Sequence, residues 1–236
     1  GVVPDKDSIR ARIWDRLAED ELARFPFPPH GRITNFEGAS EAAERAMALP
    51  ELGEAEAVKA NPDAPQLPLR RRLLKAGTTV YMAVPRLGEE ACFVELDPAS
   101  ISDLDAAPTV SHMGSYGTRV GPEALPEIDA IVSGSVAVDR AGVRVGKGEG
   151  YSDLEFAVLR EFGLVDDETP TVTTVHDVQV IDASVDPDRH DVPMDIVCTP
   201  TRTIRTDPGP RPTGIYWSAL DPTHREEIPI LDRLAR

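Results

Sequence analysis

Arg144-Val145-Gly146-Lys147-Gly148-Glu149-Gly150-Tyr151-Ser152-Asp153 sets three glycines at alternate positions immediately before a helix start. Bare backbone N–H groups at such a junction, backed by the positive end of a helix dipole, suit the binding of phosphate. Arg144 and Lys147 add fixed and mobile positive charge. The loop is not a Walker A loop, because no second Gly-Lys-Ser/Thr is present, and Tyr151 stands where a dinucleotide fingerprint has its third glycine. Glycines alone fit a plain hairpin-to-helix turn equally well, so the neighbouring residues decide. Lys6 and Arg10 lie one turn apart at the start of the first helix, where cations oppose the dipole at a cost of about a few tenths of a kcal/mol. Either an anion repairs that arrangement or Asp5 and Asp7 balance it. Asp153 falls in the first turn after the glycine loop, and His190-Asp191 closes a loop before a late strand. Carboxylates beside a phosphate site commonly hold magnesium; for Asp153, a favourable charge at a helix N-terminus is the equal alternative.

The elements that carry these residues alternate between helix and strand. A first helix is expected from Ser8 to Leu22, with Ile9, Ile13 and Leu17 on its inner side. A second amphipathic segment contains Ala42, Ala43, Ala46 and Met47, and a third helix spans Leu67 to Lys75 and stops at Gly77. Strands are expected at Glu54–Ala60, Thr78–Val84, Cys92–Leu96, Ile131–Val138, Thr171–Ile181 and Met194–Cys198. Asp139 to Gly142 reads as a turn leading to a short strand that ends at Val145. Ser152 and Glu155 read as a capping box for the helix that follows the glycine loop. This alternation predicts an α/β fold with a mostly parallel sheet and helices on both faces.

Composition bounds the function. With 236 residues and 41% hydrophobic content, the chain can bury one sizeable core. No signal peptide or membrane span is expected, since the longest apolar run falls well short of the roughly 18 residues a span needs. Cys92 and Cys198 sit in apolar strand-like runs and read as core thiols of a reducing cytoplasm. The net charge of −16, with lysine only at positions 6, 59, 75 and 147, suits a halophile's cytosol. Nucleic acid is not an expected partner, because only Arg70-Arg71-Arg72 with Lys75 is locally basic. That cluster reads as the wet face of a helix, with one arginine reaching a ligand phosphate as the alternative. The five histidines lack zinc-site spacing, and Ser133-Gly134-Ser135 reads as tight strand packing rather than a nucleophile. Gly114 to Arg119 reads as a surface loop, or alternatively as a second ligand-facing loop.

Lys6-x-x-x-Arg10, then Arg144 to Asp153, then His190-Asp191-Val192-Pro193-Met194-Asp195 resemble, in order and approximate spacing, the 5-formyltetrahydrofolate cyclo-ligase family, also called methenyltetrahydrofolate synthetase. The glycine loop is similar to that family's G-x-G-x-G-Y-Y-D signature and the N-terminal pair to its K-x-x-x-R. The resemblance implies a three-layer fold like the ribose-phosphate isomerase and CoA-transferase group, in a single domain over 1–236 with 200–236 an extended C-terminal tail. It also implies a magnesium- and ATP-dependent conversion of 5-formyltetrahydrofolate to 5,10-methenyltetrahydrofolate. In that reading Lys6, Arg10, Arg144 and Lys147 contact the nucleotide, and Gly146, Gly148 and Gly150 allow close backbone approach. Glu149 and Ser152 complete the nucleotide-binding stretch. Lys147 and Tyr151 are the catalytic candidates, Tyr151 bordering the folate-formyl site, and Asp153 with Asp191 hold magnesium. Ser152 replaces the signature's second tyrosine, and Glu149 places an acid where a glycine or a base is usual. These departures open an alternative: a nucleotide- or folate-binding module without turnover. The pattern G-K-G-E-G-Y-x-D-L-E and Gly214-Ile215-Tyr216-Trp217-Ser218 resemble a divergent branch, the methenyltetrahydrofolate synthetase domain-containing proteins. The RNA-binding module that eukaryotic members of that branch add is not expected in this sequence.

Overall fold

The computed structural model describes residues 4–236. The first half comprises α1 (Lys6–Glu19), α2 (Ala39–Met47), α3 (Pro50–Gly53), β1 (Ala57–Ala60), α4 (Leu67–Lys75), β2 (Thr79–Ala83), β3 (Phe93–Leu96), α5 (Met113–Tyr116) and β4 (Thr118–Val120). There follow β5 (Ala130–Ser133), β6 (Ala137–Asp139), β7 (Arg144–Val145), α6 (Tyr151–Glu161), β8 (Thr171–Thr174), β9 (Val180–Ile181), β10 (Ile196–Cys198) and β11 (Thr203–Arg205). Helices α7 (Pro222–Glu227) and α8 (Pro229–Leu234) close the chain.

Eight strands form one sheet in the order β11-β10-β8-β5-β1-β2-β3-β4, and β7-β6-β9 form a second. From β10 to β2 every pairing in the large sheet is parallel, while β11, β3 and β4 are antiparallel additions at its edges. Strands β1, β5, β8 and β10 are buried along their whole length, and β2 at all but its first residue, as strands covered on both sides must be. The expected α/β class with a mostly parallel sheet is the observed one. Topology also locates the site: from β1 the chain builds outward through β2 to β4, whereas β5, β8 and β10 are added later on the opposite side. In open α/β sheets, the crevice at the strand ends where winding reverses is where ligands bind.

Helix α1 lies over the small sheet. Asp5 caps it by accepting from Ser8 N at 2.7 Å, so it begins at Lys6, a half-turn earlier than Ser8. Ile9, Ile13 and Leu17 pack with Ile33, Val136, Ala137 and Val145 in a satellite core. This packing sets the start of α1 beside the loop that follows β7.

Four sequence expectations change. Neither Ile131–Val138 nor Thr171–Ile181 is one strand: the first breaks at Gly134 into β5 and β6, the second into β8 and β9, and each pair divides between the two sheets. A side chain at Gly134 would have its Cβ 2.7 Å from Asp63 Oδ2, Gln66 Oε1 and Ile33, so only glycine lets that backbone pass so closely. Arg70 is not on a wet face. It is buried and donates to the carbonyls of Pro108, Asn61 and Asp63, fixing the loop after β1, while burial pulls its guanidinium down to about 10 against the pull of Asp63. Third, α6 has no Ser152–Glu155 capping box: Gly150, in the left-handed region at φ 77°, precedes it with no side-chain cap, and both side chains are engaged elsewhere. Finally, 200–236 is not extended throughout. It contributes edge strand β11 and helices α7 and α8, and it buries Ile215, Ile228, Ile230 and Leu231 in the main core.

Candidate active site

A cavity of about 520 Å³ opens at the C-terminal ends of β1 and β2. Its wall holds Asn61 and Asp63 after β1, Ala83 to Arg86 after β2, Lys6 and Arg10 from α1, the stretch Gly146–Asp153, and Asp188, His190 and Asp191 from the loop before β10. Five cations, Lys6, Arg10, Arg86, Arg144 and Lys147, therefore meet in one place on a chain of net charge −16.

Lys6 and Arg10 thus stand beside the glycine loop despite the long stretch of sequence between them. Arg10 Nε donates to the Gly146 carbonyl at 2.7 Å, and its Nη1 meets Asp7 at 2.8 Å. Arg10 therefore holds the loop as well as charging it. Gly148 and Gly150 adopt φ of 105° and 77°, conformations that L side chains rarely take, which keeps the loop low over the start of α6. Arg144 is buried, donates Nε to the Gly134 carbonyl at 2.6 Å, and brings Nη1 to 3.9 Å from Asp153 Oδ2. Lys147 lies 3.4 Å from Glu149 Oε2, so the acid that the sequence singles out is partnered within the loop.

The acidic side of the cavity is more closely knit than sequence predicts. Lys6 Nζ bridges Asp191 at 2.5 Å and Asp188 at 3.1 Å. Burial opposes the Lys6 charge, but the hydrogen bonds and charges of Asp191 and Asp188 outweigh it and hold the ammonium above its ordinary value. Asp188, His190 and Asp191 each bring a ligand atom within 4.8 Å of one another, a grouping that Asp153 does not join. Asp153 accepts from Val192 N at 3.0 Å. Burial drives its carboxyl above the usual range against the pull of Arg144, and the nearby charge of Asp191 adds to the rise. The charge of Asp191 beside the buried Asp153 leaves negative charge under-compensated there, and oxygen donors of this kind fit a hard divalent cation.

Several residues of this site escape sequence reasoning. Asp63 lies on the wall, its carboxyl raised by burial against Arg144, Arg70 and Lys147. Asn61 Nδ2 donates to Ser152 Oγ at 3.2 Å, which gives Ser152 a partner just after β1. Beneath them Lys59 is 1% exposed and pairs with Glu155 of α6. Its signal was present as a single lysine inside the apolar strand Ala57-Val58-Lys59-Ala60 of a lysine-poor chain. At the mouth, the Tyr151 ring lies 4.8 Å from that of His224 on α7, and Arg189 sits 4.0 Å over Tyr216. The C-terminal segment thereby borders the glycine loop. Gly114–Tyr116 lies within or beside α5, from which only Met113 faces the cavity.

Fold and site together define an α/β protein whose glycine-rich loop is ringed by cations at the reversal point of a parallel sheet. The chain belongs to the 5-formyltetrahydrofolate cyclo-ligase family, which matches it over residues 3–200. It is 41% identical over 234 residues to the methenyltetrahydrofolate synthase domain-containing protein of Bos taurus and 38% identical over 234 residues to that of Homo sapiens. Each alignment covers 97% of this chain and 61% of the relative, so the chain spans about three fifths of the curated relatives it matches. Among solved structures, the NMR structure of Aquifex aeolicus 5,10-methenyltetrahydrofolate synthetase has the same fold. The TM-score is 0.54 at 19% identity, covering 91% of this chain and 99% of that one. No helix among the described residues is long and apolar enough to cross a membrane.

Proposed function

We propose that the cavity binds ATP and a reduced folate side by side and drives the closure of 5-formyltetrahydrofolate to 5,10-methenyltetrahydrofolate, or a closely related folate reaction. The observation that carries this reading is the meeting of Lys6 and Arg10 with Gly146–Asp153 around one cavity, in a chain of this family. In the reaction the formyl oxygen attacks the γ-phosphorus of ATP and ADP departs. The N10 nitrogen then attacks the activated formyl carbon, gives up its proton and expels phosphate, closing the ring.

The work of the chain's own residues is positioning and charge neutralisation, which is most of what phosphoryl transfer asks of a protein. Amides of Gly146, Gly148 and Gly150 and the charges of Lys6, Arg10, Arg144 and Lys147 grip the phosphates, with Lys147 the mobile cation that follows the transferring group. Glu149 and Ser152 border the nucleotide, and Tyr151 borders the formyl group. Asp153 and Asp191 would hold magnesium, which when bound neutralises phosphate oxygens and orients the chain of phosphates.

A second reading, binding without turnover, is favoured by one observation: Glu149 already satisfies Lys147 at 3.4 Å. The two separate in one experiment. Protein mixed with 5-formyltetrahydrofolate and magnesium-ATP in high salt is expected to generate the methenyl chromophore. Saturable ATP binding by calorimetry without chromophore supports the second reading, and absence of both from folded protein refutes the first.

A further inference from the structure

Lys59 stands on β1, a central strand, with 1% of its surface accessible. Its Nζ pairs with Glu155 Oε1 and donates to Asn61 Oδ1 at 3.1 Å; Asn61 Nδ2 in turn donates to Ser152 Oγ at 3.2 Å. Asn61, Ser152 and Glu155 all line the cavity, so one hydrogen-bonded run leads from inside the sheet to the ligand wall. As a device for stability it is a poor one: a buried ion pair is often matched or bettered by apolar side chains of similar volume. Nor is it saturated. Glu155 engages only Oε1; its Oε2 accepts no hydrogen bond among the described residues and is not sealed from solvent. The Ser152 hydroxyl lies a long 3.4 Å from Asn61 Oδ1, leaving its proton weakly held. Ser152 and Glu155 are three residues apart on α6, hence neighbours on one helix face.

We infer that Glu155 and Ser152 form a reading edge on the cavity wall, Glu155 Oε2 accepting from N–H groups and Ser152 donating to a carbonyl, with Lys59 and Asn61 as the positioning residues behind them. The ligand ring such an edge selects presents N–H donors beside a carbonyl, the chemistry of a 2-amino-4-oxopyrimidine. The assignment rests on the reduced-folate reading above and adds which edge of the ring is recognised and by what.

The test is on the ligand first, so that no variant need fold. The unmodified chain is titrated, with magnesium and a non-hydrolysable ATP analogue, with 5-formyltetrahydrofolate and with its 2-desamino-2-methyl analogue. Losing donors to a carboxylate is expected to weaken binding about 10- to 100-fold. The double variant Lys59→Met/Glu155→Met, which leaves no buried charge unpaired, is then expected to bind the two ligands within about threefold of each other while unfolding cooperatively. Equal affinity of the unmodified chain for both ligands overturns this assignment and leaves the folate reading standing. Binding of neither overturns both.

Discussion

Arg10→Ala isolates the contact by which α1 holds the glycine loop. The side chain is 14% exposed, and its Nε reaches the Gly146 carbonyl at 2.7 Å. Its second partner, Asp7, is 95% exposed, and an ion pair with so wet a partner contributes little. The loss therefore falls mainly on the hydrogen bond from a charged donor to the loop, a type worth about 1.5–3 kcal/mol. Gly146 is only partly buried, so water replaces some of that, and the lower figure applies. Magnesium-ATP binding is expected to weaken about tenfold, the equivalent of about 1.4 kcal/mol. Arg10→Lys keeps the charge without the planar fork, so it is expected to recover less than about half of the loss. Calorimetric titration of both variants at low and high salt, with thermal unfolding as a check on folding, measures this directly. Full recovery by lysine would mean that charge alone matters and would refute the clamp, as would unchanged binding by Arg10→Ala.

Asp63→Asn is expected to stabilise the fold at neutral pH. Burial raises the folded-state value of Asp63 above the unfolded 3.8, so its contribution to stability is fully present below that value and lost as pH rises through the folded one. The raised value is thus a cost to the fold at pH 7. The variant should unfold about 2–4 °C higher there, the shift that about 1 kcal/mol gives in a chain of this size, and the gain should shrink as the pH of the thermal scans is lowered toward 4. A gain independent of pH would contradict this account. Glu149→Gln frees Lys147 from a partner at 3.4 Å, an attraction of about 1 kcal/mol in a water-like dielectric. It should tighten magnesium-ATP binding about fivefold by calorimetry, an effect that fades with added salt; weaker binding would mean that Glu149 contacts the ligand favourably.

Local chemistry made much of the scaffold legible. Helix α4 falls on Leu67–Lys75 as its apolar spacing and the following Gly77 indicate, and β2, β3 and β10 lie within the expected apolar runs. The two basic residues that break helix-dipole preference line the same cavity as the glycine loop, Arg10 touching the loop and Lys6 the acidic loop before β10, because a locally unfavourable charge is a signal that a single segment carries on its own. What escaped the sequence depends on partners distant in the chain. Glu155 looks like half of a capping box until Lys59 is seen beneath it, and Arg70 looks solvated until three carbonyls surround it. The split of Ile131–Val138 was equally hidden, since it arises from the crowding of Gly134 by Asp63 and Gln66 rather than from any turn residue.

The family match stops at residue 200, yet the fold does not. Glu161, at the end of α6, accepts from Ile215 N at 2.8 Å, and Ile228, Ile230 and Leu231 plug the main core from beyond that boundary. A chain trimmed to the matched region would uncover those seats, at about 1.5–3 kcal/mol for each large aliphatic side chain removed. It would also unroof Tyr151 by taking away His224. The last three dozen residues therefore act as a keystone for the very helix whose N-terminus anchors the glycine loop, and any fragment made for ligand work must retain them.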